Sequence, residues 1–233
     1  MPANPICVAL DTPDLDKAVA LAKALRPHVG WAKVGMEFFY AHGLPGYARV
    51  AATGLPIFLD LKLHDIPNTV ASAMKALMRI TPTPAIVNLH ATGGLDMMKA
   101  AAEAVDGRAK LIAVTILTSL SDDDIWAAGF ETAKNTEAHV RALAELTKRA
   151  GLDGVVCSPH DLVGIRHDLG RDFLTVVPGI RPADAATQDQ KRVATPAAAL
   201  EAGADILVIG RAITGAPDPA GAAQDILASL HAG

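Results

Sequence analysis

Short apolar runs alternate with amphipathic, Ala- and Leu-rich stretches along the whole chain. Strands buried in a parallel sheet read as continuous apolar runs, whereas surface helices repeat apolar residues every three or four positions. The pattern therefore predicts eight strands, at Ile6–Asp11, Gly30–Glu37, Ile57–Leu63, Ala85–Ala91, Lys110–Leu117, Gly154–Ser158, Phe173–Gly179 and Ile206–Arg211. It predicts helices at Asp14–Arg26, Leu44–Ala52, Asn68–Ile80, Leu95–Val105, Thr136–Ala150, Leu162–Leu169, Pro196–Ala202 and Pro219–His231.

Strands that each lead into a helix, repeated eight times, are typical of a (β/α)8 TIM barrel. The chain has 233 residues, and α/β barrels of about 200–250 residues commonly form one domain. We therefore predict a single α/β barrel domain over residues 1–233. The alternative, a doubly wound open sheet, usually has fewer strands and a glycine-rich first turn. The first turn here, Leu10–Asp14, contains no glycine.

Composition narrows the class of protein. Hydrophobic residues make up 51% of the chain and charged residues 20%, which excludes a disordered chain. Lys and Arg number 21 against 25 Asp and Glu, a net charge of −4, so we expect neither nucleic acid nor an acidic membrane as a partner. Two cysteines are too few for a disulfide framework and suit a reducing compartment. With no signal-peptide pattern at Met1–Leu10 and no apolar stretch of about 18 residues, we expect a cytoplasmic protein.

The third predicted strand carries charges where a core strand should be apolar. Alternation puts Leu59, Leu61 and Leu63 towards the helices, so Asp60 and Lys62 point into the barrel near its carboxyl-terminal mouth. Buried charges are costly unless they are paired and hydrogen-bonded. Asp65 follows in the loop, just before a helix that we expect Asn68 or Thr69 to cap.

Two neighbouring strands add charges to the same mouth. Asp11 ends the first strand, and Lys33 lies in the second. In such an array the lysines keep the carboxylates ionised and the carboxylates keep the lysines protonated. The arrangement suits the delivery of a positioned proton or the stabilisation of a carbanion. The alternative is a purely structural ion-pair cluster that closes the top of the barrel.

A phosphate site is predicted at the ends of the last two strands. In phosphate-binding barrels the loops after strands 7 and 8 hold the anion. Gly210 permits close approach of the backbone, and Arg211 offers a forked donor. Arg181 and Gln190 belong to the long polar loop Ile180–Ala194, which is placed to close over the anion. The alternative for Gly210 and Arg211 is a solvated turn.

A metal site is the weaker interpretation of the mouth. His64 and His90 lie near strand ends and could join Asp60 and Asp65 as ligands. The spacing matches no HxH or HExxH motif, and Lys62 would repel a cation from the middle of the group. We predict no metal.

The segment Asp60–Thr69 matches the DxKxxDIxxT signature of the orotidine 5′-phosphate decarboxylase family. Further segments resemble the family in the expected order: Val8–Asp11, Lys33–Gly35, His90–Gly94, Leu117–Ser119, Val177–Arg181 and Gly210–Arg211. The resemblance covers essentially the whole chain. It implies cofactor-free decarboxylation of orotidine 5′-phosphate to UMP and CO2, a step of de novo pyrimidine biosynthesis.

The resemblance also implies residue roles. Lys62 would protonate C6 of the pyrimidine, Asp60 and Lys33 would complete the charge array, and Asp65 would enter from the partner subunit of a homodimer. The substrate contacts implied are Asp11, Lys33, Asp60, Ile66, Thr69, Thr118, Pro178, Arg181, Gln190, Gly210 and Arg211. Of these, Asp11, Lys33 and Thr69 would reach the ribose, and Thr69 would do so across the interface. Pro178 would line the base pocket, and Thr118, with Ser119 as the alternative, would contact the pyrimidine edge. Arg181, Gln190, Gly210 and Arg211 would hold the 5′-phosphate.

Two other functions would fit part of the same sequence. A related phosphosugar barrel enzyme, such as a hexulose-phosphate synthase or a keto-gulonate-phosphate decarboxylase, would share the third strand and the phosphate site but use magnesium. The DIxxT ending and the Gln190-bearing loop argue against it. A non-catalytic nucleotide-binding protein would share the fold, but the intact Asp60, Lys62 and Asp65 argue against that.

Overall fold

Eight parallel strands close into a barrel in chain order. The computed structural model describes residues 4–181 and 194–230. Each strand pairs with the next in sequence, and the last pairs with the first. The strands are β1 (Ile6–Ala9), β2 (Trp31–Gly35), β3 (Ile57–Leu63), β4 (Ile86–His90), β5 (Lys110–Val114), β6 (Gly154–Val156), β7 (Leu174–Val177) and β8 (Ile206–Ile209). The predicted (β/α)8 barrel is confirmed.

Helices surround the barrel and connect its strands. They are α1 (Leu15–Leu25), α2 (Met36–Ala51), α3 (Pro67–Leu77), α4 (Leu95–Val105), α5 (Asp122–Ala127), α6 (Thr136–Arg149), α7 (Leu162–Leu169), α8 (Pro196–Glu201), α9 (Arg211–Thr214) and α10 (Pro219–Ser229). Short 3-10 turns lie at Ala91–Gly93 and Pro159–Asp161. Within the described residues no helix has the length and apolar character needed to cross a membrane.

Strand alternation sorts the apolar side chains into two layers. One layer fills the inside of the barrel and comprises Cys7, Ala9, Trp31, Phe58, Ile86, Ile112, Leu174, Val176, Ile206 and Val208. The other lies between the sheet and the helices and includes Val34, Leu59 and Leu61. Because successive residues of a strand point to opposite faces, Lys33 and Asp60 lie on the inner face, two residues beyond Trp31 and Phe58.

Two predicted helix starts differ from the structure. The second helix begins at Met36 and not at Leu44, because β2 ends at Gly35 and the chain turns directly into the helix. Gly43, with φ of +56°, kinks it and interrupts the helical pattern. The third helix has Ile66 at its N-cap and Pro67 in its first turn, so the prediction that Asn68 or Thr69 caps it is wrong. Proline suits this position because its φ is already helical and it has no N–H to satisfy.

The acidic run after the fifth strand forms helix caps. Ser121 donates through its backbone N–H and its hydroxyl to Asp124, at 2.8 and 2.6 Å, in a capping box at the start of α5. Asp122 accepts from the backbone N–H of Thr136 at 2.7 Å, which ties α5 to the start of α6. The long connection from β5 to α6 thus contains the short helix α5.

Candidate active site

Four charged side chains form a continuous ladder across the mouth between β1 and β3. The Lys33 ammonium lies 2.9 Å from Asp11 Oδ1 and 3.3 Å from Asp60 Oδ2. The Lys62 ammonium lies 2.6 Å from Asp60 Oδ1. Signs alternate along the ladder, and Asp60 is its centre because each of its two oxygens faces a different lysine.

Burial and pairing act in opposite directions on these groups. Burial disfavours the charged form of Lys33, but the fields of Asp60 and Asp11 outweigh it, so the pKa of Lys33 rises above its usual value. Burial likewise opposes ionisation of Asp60. The attraction of Lys33 and Lys62, together with hydrogen bonds from Lys62 and Asn88, still lowers the pKa of Asp60 below its usual value. Lys33 and Asp60 are therefore both charged at neutral pH.

Asn88 is a fifth member of the array and is not among the residues predicted from the sequence. The side chain is 1% exposed, and its Nδ2 donates to Asp60 Oδ1 at 2.7 Å. Its Oδ1 accepts from the backbone N–H of Lys62 at 2.8 Å. The signal was present in the fourth predicted strand, where alternation puts a polar residue on the same inner face as Ile86.

The backbone at Lys62 is unusual for a residue with a side chain. Its φ is +52°, in the left-handed region that L-residues rarely adopt. The pairing of β3 with β4 is irregular at the same point: Leu59 pairs with Val87 and Leu63 pairs with Leu89. Three residues of β3 thus lie opposite Asn88 alone. Strain of this kind is found at functional sites.

The ladder lines one side of a cavity of about 700 Å³, a usual size for a small-molecule site. Of the predicted site residues, the cavity is lined by Asp11, Lys33, Asp60, Lys62, Thr118, Ser119, Pro178, Arg181, Gly210 and Arg211. Arg181 follows β7, which lies opposite β3 in the closed ring of eight strands, and Arg211 follows β8. The cavity therefore has a lysine and carboxylate side and an arginine side.

Three predicted site residues do not line this cavity, and a fourth is not described. Asp65, Ile66 and Thr69 are exposed and lie outside the lining. The Asp65 carboxylate accepts from the backbone N–H of Ile66 at 2.7 Å. Gln190 lies outside the described residues, as does most of the predicted phosphate loop.

The two histidines near the mouth lie against each other. The ring centroids of His64 and His90 are 5.6 Å apart. Burial first, and then the fields of His64 and Lys62, lower the pKa of His90, while Asp60 acts in the opposite direction. Among residues 4–181 and 194–230, no group of three or more His, Cys, Asp or Glu is arranged to hold a metal ion.

Comparison with known proteins gives one consistent result. Residues 4–226 match the model of the orotidine 5′-phosphate decarboxylase / HUMPS family. The chain is 53% identical over 228 residues to a Novosphingobium aromaticivorans protein named orotidine 5′-phosphate decarboxylase, covering 98% of this chain and 100% of that protein. A Rhodospirillum rubrum protein of the same name is 51% identical over 239 residues, covering 99% of this chain and 95% of that protein.

A solved structure agrees with these relatives. The crystal structure of orotidine 5′-phosphate decarboxylase from Lactobacillus acidophilus superposes with a TM-score of 0.84 at 38% identity, over 98% of this chain and 100% of that one. The ladder, the cavity and the full-length match all agree with the signature in the third strand. This chain belongs to the orotidine 5′-phosphate decarboxylase / HUMPS family of enzymes.

Proposed function

We propose that this chain decarboxylates orotidine 5′-phosphate to UMP and CO2 without a cofactor, and that Lys62 donates the proton. The observation that carries the proposal is the Lys62 ammonium, 2.6 Å from a buried carboxylate, on the wall of the 700 Å³ cavity. The names of the full-length relatives support the same substrate.

The chemistry explains why a ladder of charges suits this reaction. Loss of CO2 leaves an electron pair in an sp² orbital at C6, where the ring cannot delocalise it. A fixed cation beside that carbon stabilises the developing charge, because its orientation is already set before reaction. Asp60 holds the Lys62 ammonium in place, Lys33 pairs with the other oxygen of Asp60, and Asp11 in turn pairs with Lys33. Transfer of one ammonium proton to C6 then completes UMP.

The arginine side of the cavity suits the 5′-phosphate. Arg181 and Arg211 both line it, and arginine binds phosphate through charge-assisted, forked hydrogen bonds. Packing within the described chain does not require glycine at 210, because a Cβ there would lie 3.7 Å from the Ala9 Cβ, an ordinary contact. A bound phosphate close to the backbone would explain the glycine. The phosphate would then bind on the side of the mouth opposite Lys62. Binding it there would hold the pyrimidine of the same nucleotide against the ladder.

A homodimer with shared sites accounts for the residues that do not line the cavity. Asp65, Ile66 and Thr69 belong to the family signature but face outward from their own chain. Ile66 is 66% exposed and Tyr40 of α2 is 74% exposed. A subunit interface over this loop would bury the Ile66 side chain. In a two-fold dimer Asp65 of one subunit would approach Lys62 of the other.

The buried thiols Cys7 and Cys157 support a cytoplasmic location, because thiols persist in a reducing compartment.

The proposal is tested by the loss of absorbance on incubation with orotidine 5′-phosphate. We expect turnover by the wild type and none by Lys62→Ala, with circular dichroism showing that the variant is folded. Lys110→Ala is the matched control, because Lys110 forms an ion pair of the same 2.6 Å length with Asp153 at the amino-terminal end of β5. It should retain activity. A folded wild type without turnover, or turnover by Lys62→Ala, would contradict the proposal.

The shared site is tested by mixing inactive Lys62→Ala with inactive Asp65→Asn under conditions that exchange subunits. Asparagine at 65 keeps an oxygen acceptor for the Ile66 N–H and loses only the charge. With random pairing about half of the dimers are mixed and each holds one intact site, so about a quarter of wild-type activity should return. Confirmed exchange without any recovery would mean that Asp65 acts within its own chain.

The metal-dependent relatives predict a different response to chelation. We expect prolonged treatment with a metal chelator to leave the rate unchanged, because the Lys62 ammonium occupies the position that a catalytic cation would take. Activity that is lost on chelation and restored by magnesium would instead indicate a phosphosugar enzyme.

A further inference from the structure

Asn88 makes two hydrogen bonds within the ladder. One is to the main chain of Lys62, and the other is to the carboxylate that pairs with the Lys62 ammonium. Its Oδ1 holds the Lys62 backbone N–H at 2.8 Å. Its Nδ2 donates to Asp60 Oδ1 at 2.7 Å. The same oxygen accepts from the Lys62 ammonium at 2.6 Å. One amide group therefore fixes the main chain of the lysine and the carboxylate that anchors its ammonium.

The irregular pairing of β3 with β4 explains why a side chain is needed there. Asp60, Leu61 and Lys62 lie opposite Asn88 alone, so the backbone groups of this bulge cannot all find ladder partners on β4. A buried N–H without a partner is costly. The side-chain oxygen of Asn88, Oδ1, replaces the missing backbone acceptor for the Lys62 N–H. It thereby stabilises a residue whose φ is +52°.

Asparagine is well matched to both contacts. Its amide supplies a donor and an acceptor on one planar group, and both are used here. At 1% exposure the group has almost no access to water, so neither contact can be replaced by solvent. An apolar residue of similar size would fill the space and lose both.

We propose that Asn88 is a positioning residue that sets where the Lys62 ammonium stands relative to the reacting carbon. The inference rests on the proposed function, since it assigns Asn88 a part in the same proton transfer. Asn88 itself need not touch the substrate, because it is absent from the lining of the cavity. Its loss should therefore lower kcat while leaving the binding of the nucleotide largely intact.

The test compares Asn88→Leu with Thr147→Val. Thr147 is also fully buried, and its hydroxyl donates to the Leu143 carbonyl within α6, away from the site. We expect Asn88→Leu to lower kcat per folded molecule by about 100-fold, the scale of a 1 Å misplacement. The Kd for UMP should change less than about threefold, because the arginine side is untouched. If kcat per folded molecule falls no further than in Thr147→Val, Asn88 is merely structural and the proposal is wrong.

A second variant covers the case in which Asn88→Leu does not fold. Asn88→Asp keeps the acceptor for the Lys62 N–H but puts a second carboxylate beside Asp60, and such a pair retains a proton at raised pH. Once protonated, the new carboxyl group can again donate to Asp60. The ratio of variant to wild-type kcat should therefore rise as pH falls. Lys33, Lys62, His64 and His90 face the same pair and are present in both proteins, and a ratio that does not rise as pH falls would overturn the proposal.

A crystal structure of Asn88→Leu separates this inference from the proposed function. If wild type does not turn over orotidine 5′-phosphate, the proposed function fails, and the position of Lys62 still decides the role of Asn88. In Asn88→Leu we expect the φ of Lys62 or the position of its ammonium group to change. A Lys62 that keeps φ near +52° and its contact with Asp60 would overturn the positioning role.

Discussion

Replacing Lys62 with glycine should leave the protein more stable than replacing it with alanine, which reverses the usual order of these residues. In an ordinary strand position glycine is less stable than alanine by about 0.5–1 kcal/mol, because it loses more backbone entropy on folding. At Lys62 the backbone has φ of +52°, where a Cβ costs about 1–2 kcal/mol. Glycine removes that cost.

The magnitude follows from the difference between the two effects. Both variants lose the ion pair with Asp60 equally, so that contribution cancels. Subtracting the entropy lost from the strain relieved makes the free energy of unfolding of Lys62→Gly higher than that of Lys62→Ala by about 0.5–1 kcal/mol. With an m-value near 3 kcal/mol/M, the urea midpoint of Lys62→Gly should exceed that of Lys62→Ala by about 0.2–0.3 M. Both variants should be inactive under the proposed mechanism.

Two other positions calibrate the urea measurement. Among the described residues, the non-glycine residues with positive φ are Lys62 and Asp106. Asp106 ends α4 with φ of +52°, so Asp106→Gly should also be more stable than Asp106→Ala. Lys110, at the start of β5, should show the usual order, with alanine ahead. If the alanine variant is more stable than the glycine variant at Lys62 but not at Asp106, Lys62 does not have the left-handed backbone and the site is not strained there.

The remaining predictions concern phosphate binding, acid stability and a structural arginine. Arg211→Ala should lower kcat/KM for the phosphorylated substrate about 10- to 100-fold, as expected for a charge-assisted contact worth about 1.5–3 kcal/mol, and scarcely change any activity on the nucleoside; equal losses on both would remove Arg211 from the phosphate site. Since the pKa of Asp60 is lowered on folding, its ionisation stabilises the protein above the ordinary carboxyl pKa of about 4, and that stability is lost as pH falls. Urea unfolding should therefore show a steeper loss of stability below pH 4 in wild type than in Asp60→Asn, and parallel curves would contradict the pairing. Arg166→Met should destabilise by about 3–5 kcal/mol, because the Arg166 guanidinium, 10% exposed, donates to Asp205 and to the Gly203 carbonyl at 2.6 Å. Activity per folded molecule should be unchanged, and a loss below 1 kcal/mol in urea unfolding would refute this role.

Residues that the sequence predicted well are those whose position depends on a local period. Alternation along β3 places Asp60 on the inner face whatever the rest of the chain does, because side chains of a strand point alternately to its two faces. The same holds for Lys33 in β2. The eight repeats of a strand and a helix then favour a barrel over a doubly wound open sheet, which usually has fewer strands.

Helix boundaries were predicted less well where the local signal is weak. The first half of α2 follows β2 with no polar turn between them, and Gly43 interrupts its pattern. The start of α3 depends on the fixed φ of Pro67, and a side-chain cap at Asn68 was the wrong expectation. The boundary was set by the direct turn out of β2 in the first case and by Pro67, which suits the first turn of a helix, in the second.

Contacts across strands were decided only by the tertiary structure. The register of β3 against its neighbours determines which oxygen of Asp60 faces Lys33. It also determines that Asn88 reaches both Asp60 and the Lys62 backbone. That register shifts between Leu59 and Leu63, a shift that no local period encodes. A local pattern determines the face of a strand on which a side chain lies, but its partner is set by residues far away in sequence, because strand pairing joins segments that only the closed barrel brings together.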